Sequence, residues 1–382
     1  MSWFFDSPDA MIMLTGALVG IAASLLGTFL ILRGASMLSD AISHSIVFGI
    51  IIVWLVSGQT SGPIQIIGAA LTGLLTVFLT ELLTATRRVK ADAAIGLVFP
   101  ALFSIGVLLI NIYARDVHID QHTVLLGEIG FVWLDTYEIG GQLVPQAVVW
   151  MGLMALLNLV FVILFFKELK LATFDAALAR SLGFAPALLS YGLLALLSGT
   201  AVAAFDSVGA ILFIAFVIVP PSAAYLLTDR LSLMLAIGAG ISVVSAIAGY
   251  WLAVWFNVSI GGMMAVATGV CFTLALAFGP RYGLIAQWAR RKARMGENAA
   301  RTLAVHLFNH EGDANASDEN VEAALRDHLH WSEARAHAVL EKSLADGLVT
   351  RSGDRLALTE KGRDAAREVL EPWARGERLA QT

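Results

Sequence analysis

MIMLTGALVGIAASLLGTFLIL, residues 11–32, has no charged side chain along its whole length. A helix needs ~20 mostly apolar residues to cross the hydrocarbon core of a bilayer. This stretch therefore predicts a membrane-spanning helix. Its spaced glycines, Gly16, Gly20 and Gly27, predict close packing against neighbouring helices.

Eight more apolar runs of similar length follow it: 35–56, 64–84, 92–113, 142–166, 187–204, 209–228, 232–256 and 260–279. Asp206 and Gly209 interrupt the region 187–228. That region is either two spans, or one span followed by a short helix and a re-entrant turn. The prediction is an all-α polytopic membrane protein with eight to ten transmembrane helices.

Composition supports this class and divides the chain. The 382 residues are 58% hydrophobic and 14% charged, whereas soluble domains carry about 25% charged residues. A water-soluble enzyme is thereby excluded. Residues 290–382 nevertheless hold 15 Lys/Arg and 16 Asp/Glu. We therefore predict a membrane domain over 1–286, a basic linker over 287–298, and a soluble domain over 299–382.

Basic residues predict the orientation in the membrane. Lys and Arg concentrate in connections that lie on one side if the chain alternates through nine spans: Arg33, then 87–90, 167–180, Arg230, and 281–294. Cytoplasmic connections carry the excess of Lys and Arg. We therefore expect a multi-pass protein of the inner (cytoplasmic) membrane, with its N-terminus outside and its C-terminal domain in the cytoplasm.

Asp40 and His44 are the most informative polar residues inside a predicted span. They lie four residues apart, which places both side chains on one face of a helix. A carboxylate and an imidazole together can bind Mn²⁺, Zn²⁺ or Fe²⁺, so they are candidate metal ligands. The alternative is a structural Asp–His pair that joins two helices. The residues alone favour neither interpretation.

The predicted outer surface carries further candidate ligands for an external gate or vestibule. The residues are His118, Asp120, His122, Glu128 and Asp206. For each of the first four taken singly, a solvated polar loop is the better interpretation, whereas Asp206 fits a helix N-cap as well as a pathway residue.

The sequence contains no G-x-x-x-x-G-K-[ST] phosphate-binding loop. Energy for transport is therefore expected from partner subunits. The segment VPPSAAYLLTDRLS, residues 219–232, contains Pro220–Pro221, which we expect to end one helix before a short cytoplasmic helix begins. A second amphipathic segment, 174–184, lies on the same predicted side.

Several segments resemble one membrane-protein family. In order they are LRGASMLSDAISHSIVFGI (32–50), ADAAIGLVFPALFSIGVLLI (91–110), LLGEI (125–129), FDAALARSLG (174–183) and SVGAILFIAFVIVPPSAAYLL (207–227). They are similar to the permease subunits of ATP-binding-cassette (ABC) importers for manganese, zinc and iron. The resemblance covers roughly residues 10–282. Phe99–Pro100 departs from it where small residues are commoner, and Asp206 where a neutral residue is commoner.

The resemblance implies a permease that works by alternating access, with no permanently bound cofactor and with Mn²⁺, Zn²⁺ or Fe²⁺ as cargo. Asp40 and His44 would contact the metal. Implied partners are two cytoplasmic ATPase subunits, an extracytoplasmic metal-binding protein, and a second permease that is the same or a related chain. The implied ATPase-coupling residues are Pro220, Pro221, Ser222, Ala223, Tyr225, Asp229 and Arg230.

The soluble tail resembles a winged-helix domain of the iron-dependent repressor type. Three predicted helices precede GLVTRSGDRLALTEKG (347–362), in which Ser352–Gly353–Asp354 predicts a hairpin turn. This implies a small cytoplasmic α+β domain. The net charge of residues 290–382 is −1, which makes DNA an unlikely partner, so an interaction or regulatory module is the better interpretation.

Two other interpretations stay open. His306, His310, His328, His330 and His337 form a metal sensor or are simply solvated. The whole chain could instead be a membrane-anchored, metal-responsive regulator that acts through its tail. Export of a small organic molecule fits less well, because the inferred path offers metal ligands and little else.

Overall fold

The computed structural model describes residues 7–58, 63–114, 127–311 and 320–371. It divides the chain into two compact units, Met1–Leu284 and Ile285–Thr382. The first holds the apolar helices and the second holds the charged tail.

Helices, most of them long and apolar, make up most of the first unit. They are α1 (Pro8–Leu32), α2 (Ser36–Ser57), α3 (Pro63–Ala85), α4 (Ala91–Tyr113), α5 (Gln146–Leu164), α6 (Phe166–Phe174), α7 (Ala176–Ser181), α8 (Pro186–Leu227), α9 (Leu231–Phe256) and α10 (Ile260–Phe278). Among the described residues, nine segments are long and apolar enough to cross a membrane, with α8 providing two of them. The prediction of eight to ten spans is confirmed.

Helix α1 is the centre of the first unit, and α5, α8 and α9 pack around it. A Cβ atom on Gly20 would clash with Ser242 of α9, and one on Gly27 would overlap the backbone carbonyl of Val217 in α8. Small residues let membrane helices approach this closely. The close packing predicted for this helix is therefore present at both positions.

Helix α8 reverses direction at Gly209, where φ is 75° and ψ is 167°. Two residues of α8 contact the same part of α1. Ser190 accepts a hydrogen bond from Arg33 at the end of α1, and Val217 lies against Gly27. A straight helix would place residues 190 and 217 ~40 Å apart. The chain must therefore fold back near Gly209. The segments on its two sides, Pro186–Phe205 and Ser207–Leu227, are each long and apolar enough to cross a membrane, which favours two spans over the re-entrant alternative.

The proposed helix break at Pro220–Pro221 was wrong. Both prolines lie inside α8, which continues to Leu227. The Ser222 hydroxyl donates to the carbonyl of Ile218 at 2.7 Å. Neighbouring helices and such hydroxyl hydrogen bonds allow proline within membrane helices. The predicted break was based on how proline acts in helices surrounded by water.

A short hairpin precedes α5 and was also missed. Strands β1 (Thr136–Ile139) and β2 (Gln142–Pro145) pair antiparallel. Gly140 and Gly141 both have positive φ, as a two-residue hairpin turn requires. The predicted span 142–166 therefore begins as a strand, and its helix starts at Gln146. The first unit is consequently not purely α-helical.

Over its described residues, the second unit contains four helices and one hairpin. Its elements are α11 (Leu284–Asn309), α12 (Glu322–Leu329), α13 (Glu333–Ala345), β3 (Val349–Ser352), β4 (Arg355–Leu358) and α14 (Glu360–Leu370). The basic stretch 287–298 is helical, as part of α11. The hairpin turn predicted at 352–354 is confirmed by the pairing of Ser352 with Arg355. Two strands and four helices among the described residues do not establish a winged helix, which stays a prediction.

Candidate metal-binding site

Asp40 and His44 lie on one face of α2, as their spacing predicts. Nε2 of His44 is 3.4 Å from Oδ1 of Asp40, and the side chains are 33% and 39% exposed, respectively. Both residues belong to the same helix, so the contact does not tie two helices together. The Asp40–His44 contact itself therefore does not join two helices, and metal binding by the pair stays a prediction.

Aromatic rings of α4 border the imidazole. His44 stacks on Phe99 with ring centroids 5.7 Å apart, and it meets the edge of Phe103 at 6.3 Å. Neither phenylalanine was predicted from the sequence to belong to the site. Their spacing, four residues on one helix, matches that of Asp40 and His44 and was the available signal.

The opposite face of α2 is anchored to α3. Ser45 and Thr76 share a hydroxyl–hydroxyl hydrogen bond of 2.7 Å, and a Cβ on Gly49 would overlap Thr72. Ser39 and Ser43, which flank the pair in sequence, are buried and donate to carbonyls of their own helix. Their hydroxyl groups are therefore not available as further ligands beside Asp40 and His44.

The pair presents one carboxylate and one imidazole at the surface of this chain. Such a donor set suits a divalent transition metal ion. A carboxylate is costly at membrane depth unless it faces a polar cavity or another protein surface. The half-exposed face of α2 is therefore expected to face either a polar cavity or another protein surface.

The outer-loop candidates are only partly described. His118, Asp120 and His122 lie outside the described residues, as does the side chain of Asp206. Glu128 is exposed and precedes a short 3₁₀ turn at Ile129–Phe131. A Cβ on neighbouring Gly127 would overlap the backbone of Val208 and Gly209. The loop that holds Glu128 therefore packs on the reversal of α8.

The candidate coupling residues differ in exposure. Pro220, Pro221 and Ala223 are buried and Ser222 is half-buried, whereas Tyr225, Asp229 and Arg230 are exposed. Asp229 accepts a hydrogen bond from Tyr282 at 2.9 Å and forms an ion pair with Arg281. The connection after α8 is thereby fastened to the connection after α10.

A second group of contacts lies at the end of α1. Arg33 donates to Thr173 at 3.1 Å and to Ser190 at 2.7 Å. These bonds hold the basic connection after α1 beside the end of α6 and the beginning of α8. Two of the connections that were assigned to the same side by their charge therefore meet in space.

Comparison with known proteins identifies relatives over most of the chain. The model of the "ABC 3 transport family" matches residues 10–279. The chain is 43% identical over 360 residues to the "Zinc transport system membrane protein TroD" of Treponema pallidum (strain Nichols), covering 94% of this chain and 98% of the relative. It is 47% identical over 292 residues to the "Manganese transport system membrane protein MntD" of Bacillus subtilis (strain 168), covering 76% and 99%.

A solved structure agrees with this assignment. The structure "PsaBC from Streptococcus pneumoniae in complex with Fab" matches with a TM-score of 0.60 and 27% identity, and the match covers 71% of this chain and 92% of that one. The resemblance to metal-importer permeases that was inferred from the sequence is confirmed at the level of the family. This chain belongs to the ABC 3 transport family.

Proposed function

We propose that this chain is the permease subunit of an ABC importer for divalent transition metal ions, with Asp40 and His44 as ligands on the path. The observation that carries the proposal is the pair itself, one carboxylate and one imidazole 3.4 Å apart on the half-exposed face of a membrane helix. Mn²⁺, Zn²⁺ and Fe²⁺ all accept such ligands. The relatives named for zinc and manganese transport support the same class of cargo.

A second permease, identical or related, completes the site. The face with Asp40, His44 and Phe103 needs a polar or protein neighbour at membrane depth. A partner that covers this face would enclose the ion between two chains. Few ligands from each chain suit a site that must also release its cargo. No permanently bound metal is needed for this role.

Two ATPase subunits dock on the side where the basic connections lie, which we assign to the cytoplasm. Phe174, Leu178 and Leu182 are exposed apolar side chains in or just after α6 and α7. Tyr225, Asp229 and Arg230 are the exposed residues of the adjoining segment. These two patches replace the buried Pro220–Ala223 as the proposed ATPase contact. An extracytoplasmic metal-binding protein would deliver cargo to the opposite side, near the outer gate.

The tail would serve the transporter from the cytoplasm as a winged-helix-like interaction module. Three helices, then the β3–β4 hairpin, then α14 is the order of that fold, and Val321 forms a bridge with Arg355 beside the hairpin. The match to the Treponema relative covers 94% of this chain and so extends into the tail. A membrane permease that shares this tail favours a transport-related role over DNA binding.

Metal uptake by cells that lack their own importer tests the proposal. The chain is expressed with its partner subunits, and uptake of radioactive manganese, zinc and iron is measured for Asp40→Asn and His44→Ala. We expect uptake to fall by more than about tenfold, because even an outer-shell neighbour of a metal ligand contributes about 10–100-fold to affinity.

Asp92→Asn is the matched control, since Asp92 is an exposed acid in the first turn of another membrane helix, α4. It should transport like the wild type. Normal uptake by Asp40→Asn and His44→Ala, at wild-type amounts in the membrane, would contradict the proposed path. It would also revive the regulator alternative, which a gel-shift assay with the full chain then checks.

A further inference from the structure

Three of the five tail histidines come together at one end of α11. His306 and His310 lie one turn apart, with ring centroids 4.8 Å from each other. His328 of α12 lies 5.7 Å from His306 and 6.2 Å from His310, measured between ring centroids. One ring nitrogen from each residue can be chosen so that all three lie within 4.8 Å of one another. His330 and His337 are not members of this cluster.

The spacing is close to that of a metal site. Three imidazole nitrogens around a tetrahedral zinc ion, each at ~2.0–2.1 Å from the metal, stand about 3.3 Å apart. Contraction from 4.8 Å to that spacing needs only small rotations of histidine side chains. The pattern H-x₃-H places His306 in the last turn of α11 and His310 directly after the helix, and His328 on α12 supplies the third imidazole.

Burial of the cluster is graded. His306 is buried, His310 is half-buried and His328 is exposed. His306 projects from the helix that also contributes Leu303 and Leu307 to the apolar core of the tail. One side of the cluster is therefore fixed by the core, and the other is open to solvent. A fourth coordination position would be open to water.

We propose that His306, His310 and His328 form a divalent-metal site in the tail, separate from the path in the membrane. Imidazole-only ligands favour the later first-row ions, with zinc bound more tightly than manganese. A bound ion would join α11 to α12, which residues 310–321 separate in the chain. The site does not depend on Asp40 or His44, whereas its exposure to cytoplasmic metal rests on the orientation proposed above.

Metal titration of the full chain in detergent tests the site, with an affinity tag that contains no histidine. The background is Asp40→Ala/His44→Ala, so that the membrane pair does not contribute. We expect the chain with His310→Ala/His328→Ala to bind one equivalent of zinc less than the background chain. Cobalt should give the strong visible absorption of a tetrahedral site only when the cluster is intact.

His337→Ala is the matched control, because His337 is an exposed tail histidine on α13, outside the cluster. It should retain both the zinc equivalent and the cobalt spectrum. Zinc should also raise the unfolding temperature of the His337→Ala chain but not that of His310→Ala/His328→Ala. An unchanged stoichiometry in His310→Ala/His328→Ala, or an equal loss in His337→Ala, would overturn the site.

Uptake measurements separate this inference from the proposed function. His310→Ala/His328→Ala in an otherwise wild-type chain leaves the membrane pair intact, so cells should still import metal. If Asp40→Asn cells also imported normally, the proposed path would fail while the tail site stood. If zinc binding in the tail were absent while Asp40→Asn abolished uptake, only the tail site would fail.

Discussion

The imidazole of His44 stacks on the ring of Phe99, with centroids 5.7 Å apart and planes inclined by 29°. Phe99 lies on α4 and His44 on α2, so the contact crosses between neighbouring helices. The ring limits where the imidazole can move, while Nε2 stays 3.4 Å from the carboxylate of Asp40. Phe99 thus restricts the position of a proposed ligand.

Phe99→Ala should weaken metal uptake without abolishing it. An aromatic contact contributes about 0.5–1.5 kcal/mol, so we expect the apparent KM for metal to rise about two- to tenfold, since each 1.4 kcal/mol is a factor of ten. The maximal rate should change less. Uptake at a series of metal concentrations measures both quantities.

Phe78→Ala is the control for the loss of a phenyl ring, because Phe78 is 54% exposed on α3. It should leave KM unchanged. An unchanged KM in Phe99→Ala would show that the stacking does not position His44 for its ligand role.

Gly209→Ala should destabilise the protein. The values of φ and ψ at Gly209, 75° and 167°, lie in a region that glycine alone occupies readily, and strain there costs about 1–3 kcal/mol. The free energy of unfolding in mixed detergent should fall by about this amount. Gly269→Ala, where a Cβ would meet no atom within 4 Å, should not lower it. A Gly209→Ala protein as stable as the wild type would mean that the reversal of α8 tolerates a side chain.

Asn158→Leu tests the polar contacts among three helices. Asn158 of α5 is fully buried, and its amide donates to the carbonyl of Ala22 in α1 at 3.1 Å and to Thr200 in α8 at 2.9 Å. Hydrogen bonds between membrane helices average ~0.6 kcal/mol, with a maximum near 1.7. We expect the free energy of unfolding of Asn158→Leu in mixed detergent to fall by an amount within that range.

Thr273→Ala is the comparison for Asn158→Leu. Thr273 is exposed on α10 and bonds only to Gly269 of its own helix among the hydrogen bonds of the described residues. It should unfold like the wild type. Equal stability of both variants would mean that leucine packing fully replaces the amide contacts.

The sequence could predict the spans and the Asp40–His44 pair because both depend on local spacing. Hydrocarbon thickness sets the length of a span, and helical periodicity places residues 40 and 44 on one face. Phe99 and Phe103 could not be assigned to the site, because contact between α2 and α4 is a tertiary property. The same reason applies to His328, which reaches His306 and His310 from another helix.

The wrong predictions concern the helix break at Pro220–Pro221 and the hairpin before α5. In both places a rule based on local sequence was applied where it does not hold. Pro220 and Pro221 end helices in water, but here they are buried inside α8. Gly140–Gly141 was a turn signal directly before the predicted apolar run 142–166, and the hydrophobic run was given more weight. Gly209 was recognised as an interruption of the apolar region. Whether the chain reverses direction there could not be predicted, because the reversal depends on tertiary contacts of α1 with residues before and after Gly209.

Asp229→Asn should reduce transport more than it reduces stability. Asp229 joins the connection after α8 to Arg281 and Tyr282 after α10. Exposed ion pairs contribute only about 0–1 kcal/mol, so the fold should persist. If this contact transmits ATPase movement, the assembled transporter should hydrolyse ATP while importing less metal, which raises the ATP consumed per ion.

Glu297→Gln is the control, because it breaks an exposed pair with Arg301 in the tail and should leave the ATP consumed per ion unchanged. A wild-type ratio in Asp229→Asn would remove this connection from the proposed coupling route and leave α6 and α7 as the ATPase contact.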